Sequence, residues 1–164
     1  MTEETKAPEK KEKEKKVKFN SPFSFTDPLQ AKVVNCIMKC GKKTVAQRIL
    51  QDAFAEMFRR GEKDVLKTFE TAVKNATPAI EVRPRRIGGS IYQVPTEVNP
   101  KRQQTLAIRW ILTAARSGKG QPVAKRLASE IIDAANERGT AFSKKEEMHK
   151  MAHANKAFAH LARY

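Results

Sequence analysis

The stretch Ile80-Glu81-Val82-Arg83-Pro84-Arg85-Arg86-Ile87-Gly88-Gly89-Ser90-Ile91-Tyr92-Gln93-Val94-Pro95 decides the fold. From Ala79 to Val98 the apolar period is near two, whereas on both sides of that segment it is near four. Gly88-Gly89 sits between the two β-rich runs and suits the central positions of a two-residue turn, so the segment predicts one β-hairpin in an otherwise helical chain. Its tip is too polar and basic to be core and should project into solvent or into a partner. A lone two-stranded ribbon is only marginally stable in water, and Pro84 and Pro95 each lack a ladder donor. Something else should therefore order it, and RNA could do so.

Upstream, Asp27-Pro28 predicts an N-cap and first turn, Gly41 is placed to close that helix, and Leu29, Val33, Cys36, Ile37 and Cys40 form its apolar stripe. A second helix is expected from the capping box Thr44-Val45-Ala46-Gln47 to Gly61, burying Leu50, Phe54, Met57 and Phe58. The third starts near Asp64 on Val65, Leu66, Phe69 and Val73, and Pro78 stops it.

Downstream, Asn99-Pro100 caps a fourth helix that runs to about Ser117, with Ala107, Trp110, Ile111, Ala114 and Ala115 facing inward. The fifth spans about Pro122 to Arg138, with Gly139 as a left-handed cap. Ser143-Lys144-Lys145-Glu146 is a capping box that opens a sixth helix continuing toward Arg163. The fold class expected is mainly α, a bundle of about six helices with a protruding two-stranded β-hairpin between the third and fourth. Residues 1–20, rich in Lys and Glu, are expected to be a disordered tail, and 21–164 to be the helical domain that carries hairpin 79–98. Between them Phe19, Phe23 and Phe25 flank Ser21-Pro22, which suggests an extended strip pinned onto the domain.

The 164-residue chain carries 33 Lys and Arg against 18 Asp and Glu, a formal charge of +15 that points to a polyanionic partner. No apolar run approaches the roughly 18 residues that span a bilayer, and no apolar signal-peptide core opens the chain, so no membrane partner is expected. Cys36 and Cys40 read as reduced core thiols. A metal site with His149 and His153 can be drawn, but the cysteines fit the apolar stripe better and the histidines a surface; no metal or other cofactor is expected. No phosphate loop, dinucleotide fingerprint, nucleophile elbow or isolated acid pair is present to support an enzyme.

Residues 83–116 hold seven Arg or Lys and only Glu97 as an acid. Arg102, Arg109 and Arg116 recur every seven residues and so project from nearly one line of the fourth helix, an unpaired positive stripe. On the hairpin, Arg85 and Arg86 beside Gly88-Gly89 put guanidinium forks next to a backbone open to close approach, and Tyr92 offers a face for base stacking. Gly41-Lys42-Lys43 places two ammonium groups before the second helix. Candidate RNA-contacting residues are therefore Lys42, Lys43, Arg83, Arg85, Arg86, Gly88, Gly89, Tyr92, Lys101, Arg102, Arg109 and Arg116. The rival readings are an architectural DNA-binding protein and a metal-dependent enzyme.

Arg85-Arg86-Ile87-Gly88-Gly89-Ser90-Ile91-Tyr92-Gln93-Val94-Pro95, Leu106-Ala107-Ile108-Arg109-Trp110 and Asn155-Lys156-Ala157-Phe158-Ala159-His160 closely resemble the bacterial-type family of small-subunit ribosomal protein seven. Gly41-Lys42-Lys43, Arg126-Leu127-Ala128, Asp133-Ala134-Ala135, Gly139-Thr140-Ala141 and His149-Lys150-Met151-Ala152 extend the likeness over about residues 27 to 160. The resemblance implies a helical domain with a protruding hairpin that binds the 3′ major domain of small-subunit ribosomal RNA and helps assemble the head. It also implies a place near the exit-site transfer RNA and the messenger RNA exit, with ribosomal proteins nine and eleven as neighbours, in a cytoplasmic ribosome more simply than an organellar one. By position, Lys42, Lys43, Arg102 and Arg109 would face ribosomal RNA, Arg85, Arg86 and the glycine turn would be the working end of the hairpin, and Trp110 would be structural. The Lys/Glu tail departs from the family's short Arg-rich start, Gln103 stands where many relatives have arginine, and His153 where an acid is frequent.

Overall fold

Pro28 opens α1 (Pro28–Ile37), because its fixed φ suits a first turn and its missing N–H has no partner there. The structure, a computed structural model, describes residues 27–163; the expected tail and phenylalanine strip lie outside the described residues. Asp27 is extended at the N-cap, yet its carboxylate accepts from the Gln30 side chain at 3.4 Å and caps no backbone N–H. α1 ends at Ile37, four residues before Gly41, and its buried stripe is Gln30, Val33, Val34 and Ile37. Cys36 and Cys40 are both exposed, so the expected core thiols are surface groups. The stripe is turned by one residue from the predicted one, and Cys40 has left the helix.

α2 (Lys43–Arg59) starts one residue early, which puts Thr44 inside the helix and leaves the expected capping box unformed. Leu50, Phe54 and Met57 are fully buried, whereas Phe58 is 56% exposed, contrary to expectation. The helix closes at Gly61, φ +101°, with Gly61 N–H donating to Phe58 O at 3.1 Å and Glu62 N–H to Met57 O at 3.2 Å. α3 (Val65–Ala76) follows, its Phe69 ring edge-on to Phe54 with centroids 5.5 Å apart. The backbone turns extended at Thr77 ahead of Pro78.

After the hairpin, β1 (Ile80–Ile87) and β2 (Ser90–Glu97), come α4 (Pro100–Ser117), α5 (Val123–Ala135) and α6 (Gly139–Ala154). Among the described residues, six α-helices with an antiparallel hairpin between the third and fourth match the expected fold. Asn99 caps α4 as predicted, its Oδ1 accepting from Lys101 N–H at 3.2 Å. α5 stops earlier than expected, and the left-handed residue that closes it is Glu137, φ +56°, while Gly139, φ +86°, stands at the start of the next helix. Glu137 N–H reaches Ala134 O at 3.2 Å and Arg138 N–H reaches Asp133 O at 2.7 Å, the paired bonds of a Schellman closure. α6 begins at Gly139, four residues ahead of the predicted box. Glu130 of α5 caps it, accepting from Ala141 N–H at 2.8 Å and the Thr140 hydroxyl at 3.1 Å. The chain does not continue as one helix to Arg163; α6 ends at Ala154 and a 3-10 helix spans Lys156–Arg163.

α5 lies at the centre, packed on α2, α3, α4 and α6, and α1 covers α2 and α4. Leu50, Phe54, Met57, Ile108, Leu127 and Ile131 fill the core between them, each removed from water and worth about 1.5–3 kcal/mol for a large side chain. No helix among the described residues is long and apolar enough to cross a membrane.

Candidate nucleic-acid interface

Gly88 and Gly89 adopt φ +57° and +90°, the positive values that a two-residue I′ turn demands at both central positions, and they set the register Ile87↔Ser90 through Ile80↔Glu97. A two-residue turn makes Ile87↔Ser90 a hydrogen-bonded pair, so every second pair is non-bonded. Pro84↔Gln93 and Val82↔Pro95 are non-bonded pairs. Both prolines therefore point their nitrogens away from the partner strand, and the expected loss of ladder donors does not occur.

The ribbon is ordered by the protein itself. α6 covers the outer edge of β1, where Val82 N–H meets Met148 Sδ at 3.5 Å, and at the foot Ala79 N–H donates to His149 Nε2 at 3.3 Å. The terminal 3-10 helix packs on β2: the Tyr92 and Phe158 rings lie 5.3 Å apart at 52°, and Val94 is fully buried. Tyr92, expected to stack on a base, is thus half-buried against Phe158.

Glu81, with its side chain only 12% exposed, ties the hairpin to α4. Its carboxylate accepts from Arg102 Nε at 2.8 Å and Nη2 at 2.7 Å, a two-pronged pair, and from Arg83 Nη2 at 3.1 Å. Arg102 beside it holds the carboxyl below its ordinary range, against the opposing effect of burial and with help from Arg83; the same pair raises Arg102. Arg102, expected to be unpaired, thus shares this acid with Arg83. At the far end of α4, Arg116 Nη2 donates to Cys36 O at 3.0 Å and Ile37 O at 3.3 Å, satisfying carbonyls at the end of α1. Of the three arginines at heptad spacing, only Arg109 has an exposed side chain with no such bond among the described residues.

Besides Arg109, one face of the hairpin tip and two helix starts are open to solvent. Pro84, Arg86, Ile91 and Gln93 share a sheet face and are all exposed, Ile91 by 69%, as are Gly88, Gly89 and Ser90 at the turn. Lys42 and Lys43 stand exposed at the N-cap and first residue of α2, and Lys101 in the first turn of α4, beside the Glu81-paired Arg102. None of the six α-helices has an acidic residue in its first turn. Cations at the positive end of a helix oppose its dipole, so such a placement gains only if an external anion completes it.

A profile of the family described as Ribosomal protein S7p/S5e matches residues 5–156. The chain belongs to this family. Small ribosomal subunit protein uS7 of Thermotoga maritima is 53% identical over 136 residues, 83% of this chain and 88% of its own. The proteins of that name from Synechococcus sp. (strain WH7803) and Mesomycoplasma hyopneumoniae (strain 7448) are 53% and 55% identical over the same share of this chain and 87% of theirs. In this family member, sequence reasoning overlooked Glu81, Met148 and Phe158, the residues that fix where the hairpin points. Glu81 was legible as the lone acid among the strand's arginines, but its partner lies 21 residues away in sequence.

Proposed function

We propose that this chain is a structural, non-catalytic protein of the small ribosomal subunit that binds ribosomal RNA. The reading extends to the 3′ major domain and assembly of the head, with the hairpin tip toward the exit-site transfer RNA and the messenger RNA exit. Ribosomal proteins nine and eleven would be its neighbours, in a bacterial cytoplasmic ribosome.

Family membership and the relatives' shared name support the ribosomal role. The observation that carries RNA binding is the exposed cation pair Lys42-Lys43 at an acid-free helix start, set on the same body as the basic hairpin tip. Phosphates of a folded RNA supply the missing anions, and release of their counterions favours the compact RNA junction. The contacts are to backbone and shape more than to base edges.

The test is binding of the full chain to small-subunit RNA across a salt series. If about six phosphates are contacted, log affinity falls against log salt with a slope of order −5, and Arg86→Ala or Lys43→Ala lowers that slope by about one with folding intact. A salt-insensitive complex, or equal affinity for duplex DNA, would overturn the reading.

A further inference from the structure

Where α1, α2, α4 and α5 meet, a partly enclosed pocket of about 200 Å³ opens to solvent. Ile37, Ile49, Leu112, Val123 and Leu127 make its apolar floor and walls, and its charged lining residues are Lys39 and Arg116. An apolar cavity of about 150 Å³ suffices for one benzene ring, so this pocket has room for one flat ring system and not for two stacked ones. Among the described residues its lining holds no acid, unlike the grooves beside Glu70, Glu97 and Glu146. An apolar hole with a wholly cationic mouth fits a ligand that is flat and weakly polar at one end and anionic at the other.

The fold fixes both cations at the mouth. Arg116 Nη2 donates to the carbonyls of Cys36 and Ile37, which holds the guanidinium at the end of α1 and leaves Nε and Nη1 without an acceptor among the described residues. Lys39 is exposed and opens a tight turn: Lys42 N–H donates to Lys39 O at 3.1 Å, and Cys40 and Gly41 between them have φ +52° and +71°. Such a turn brings the Cα atoms of Lys39 and Lys42 within about 7 Å. The pocket mouth and the Lys42-Lys43 pair at the start of α2 are therefore neighbouring points on one surface. A nucleic-acid strand whose phosphates meet Lys42 and Lys43 passes the mouth.

We propose that this pocket takes one unstacked base of the bound RNA, its ring between the side chains of Ile49, Leu112 and Val123 and a flanking phosphate on Lys39 and Arg116. The inference rests on the RNA-binding reading and adds to it one contact that is not to the RNA backbone. Bases in loops and bulges can be splayed out of the stack, and an apolar pocket replaces the neighbours that such a base has lost. Burying the base neutralises no phosphate, so its share of the affinity does not depend on salt, whereas the share of Lys39 does.

The test is methyl NMR of the full chain with and without a transcript of the 3′ major domain of small-subunit ribosomal RNA. Ring current from the inserted base is expected to move the methyl signals of Ile49, Leu112 and Val123 upfield, while those of Val73 and Ile131 stay in place. Val123→Phe, which fills the pocket, is expected to weaken RNA binding about tenfold at every salt concentration with the salt slope unchanged, and Lys39→Ala to lower the slope by about one. Salt-dependent binding with unmoved pocket methyls, or with full affinity in a folded Val123→Phe chain, would overturn the proposal and leave the RNA-binding reading standing. Loss of salt-dependent binding in the unaltered chain would sink that reading as well. Pocket shifts that arise only when other small-subunit proteins are added would give the pocket to a protein segment, which also overturns it. The methyl shifts are read in the unaltered chain, so a Val123→Phe chain that fails to fold leaves them decisive.

Discussion

Replacing Phe158 by Ala should loosen the hairpin while leaving the bundle in place. Phe158 is half-buried, and its ring lies 5.3 Å from Tyr92 on β2. A fully buried phenylalanine is worth about 1.5–3 kcal/mol, so a half-buried one contributes about 1 kcal/mol, and the aromatic pair adds about 1 kcal/mol more. The loss of about 2 kcal/mol falls on local opening of the ribbon, because the core around Leu50 and Ile131 does not include this contact. At 1.4 kcal/mol per factor of ten, exchange protection should fall about 30-fold at Arg85, Tyr92 and Val94, whose N–H groups lie in the hydrogen-bonded pairs. Native-state amide exchange followed by NMR reads this directly, with amides of α2 and α5 as internal reference. Unchanged protection in the hairpin would refute the bracing role. An equal loss in α2 and α5 would show that the ribbon and bundle open together, which also contradicts the reasoning.

Glu81 has a lowered pKa in the fold, so the unfolded chain takes up its proton more readily. Its stabilising contribution is complete above its ordinary value of 4.5 and is lost as pH falls through the lower folded value. Glu81→Gln should abolish that part of the acid dependence and weaken hairpin anchoring at neutral pH, as melting curves from pH 3 to 7 on both proteins would reveal; parallel curves would speak against it. Glu137 occupies a left-handed position that costs a non-glycine residue about 1–2 kcal/mol, partly offset by the extra entropy a glycine would lose. Glu137→Gly should therefore stabilise by about 0.5 kcal/mol, raising the melting temperature by about 1–2 °C, and a fall would count against the Schellman assignment.

The amino-acid sequence alone determined what short-range physics can decide. Gly88-Gly89 fixed the turn because few residues tolerate two successive positive φ values, Asn99-Pro100 fixed the start of α4, and spacings of three and four placed Leu50, Phe54, Phe69 and Val73 inside. The basic character of the hairpin and of the α2 start was equally legible, since charge needs no folding to be counted. Only the tertiary structure decided which charges are spent internally. Arg102 meets Glu81 and Arg116 meets the end of α1 through contacts between elements distant in sequence, and Glu130 reaches across a turn to cap α6. The same holds for Tyr92, whose ring looked available until Phe158 was brought beneath it. A residue's type and spacing state what it can bond, but its partner is set by how helices and strands pack, and that is a property of the whole chain.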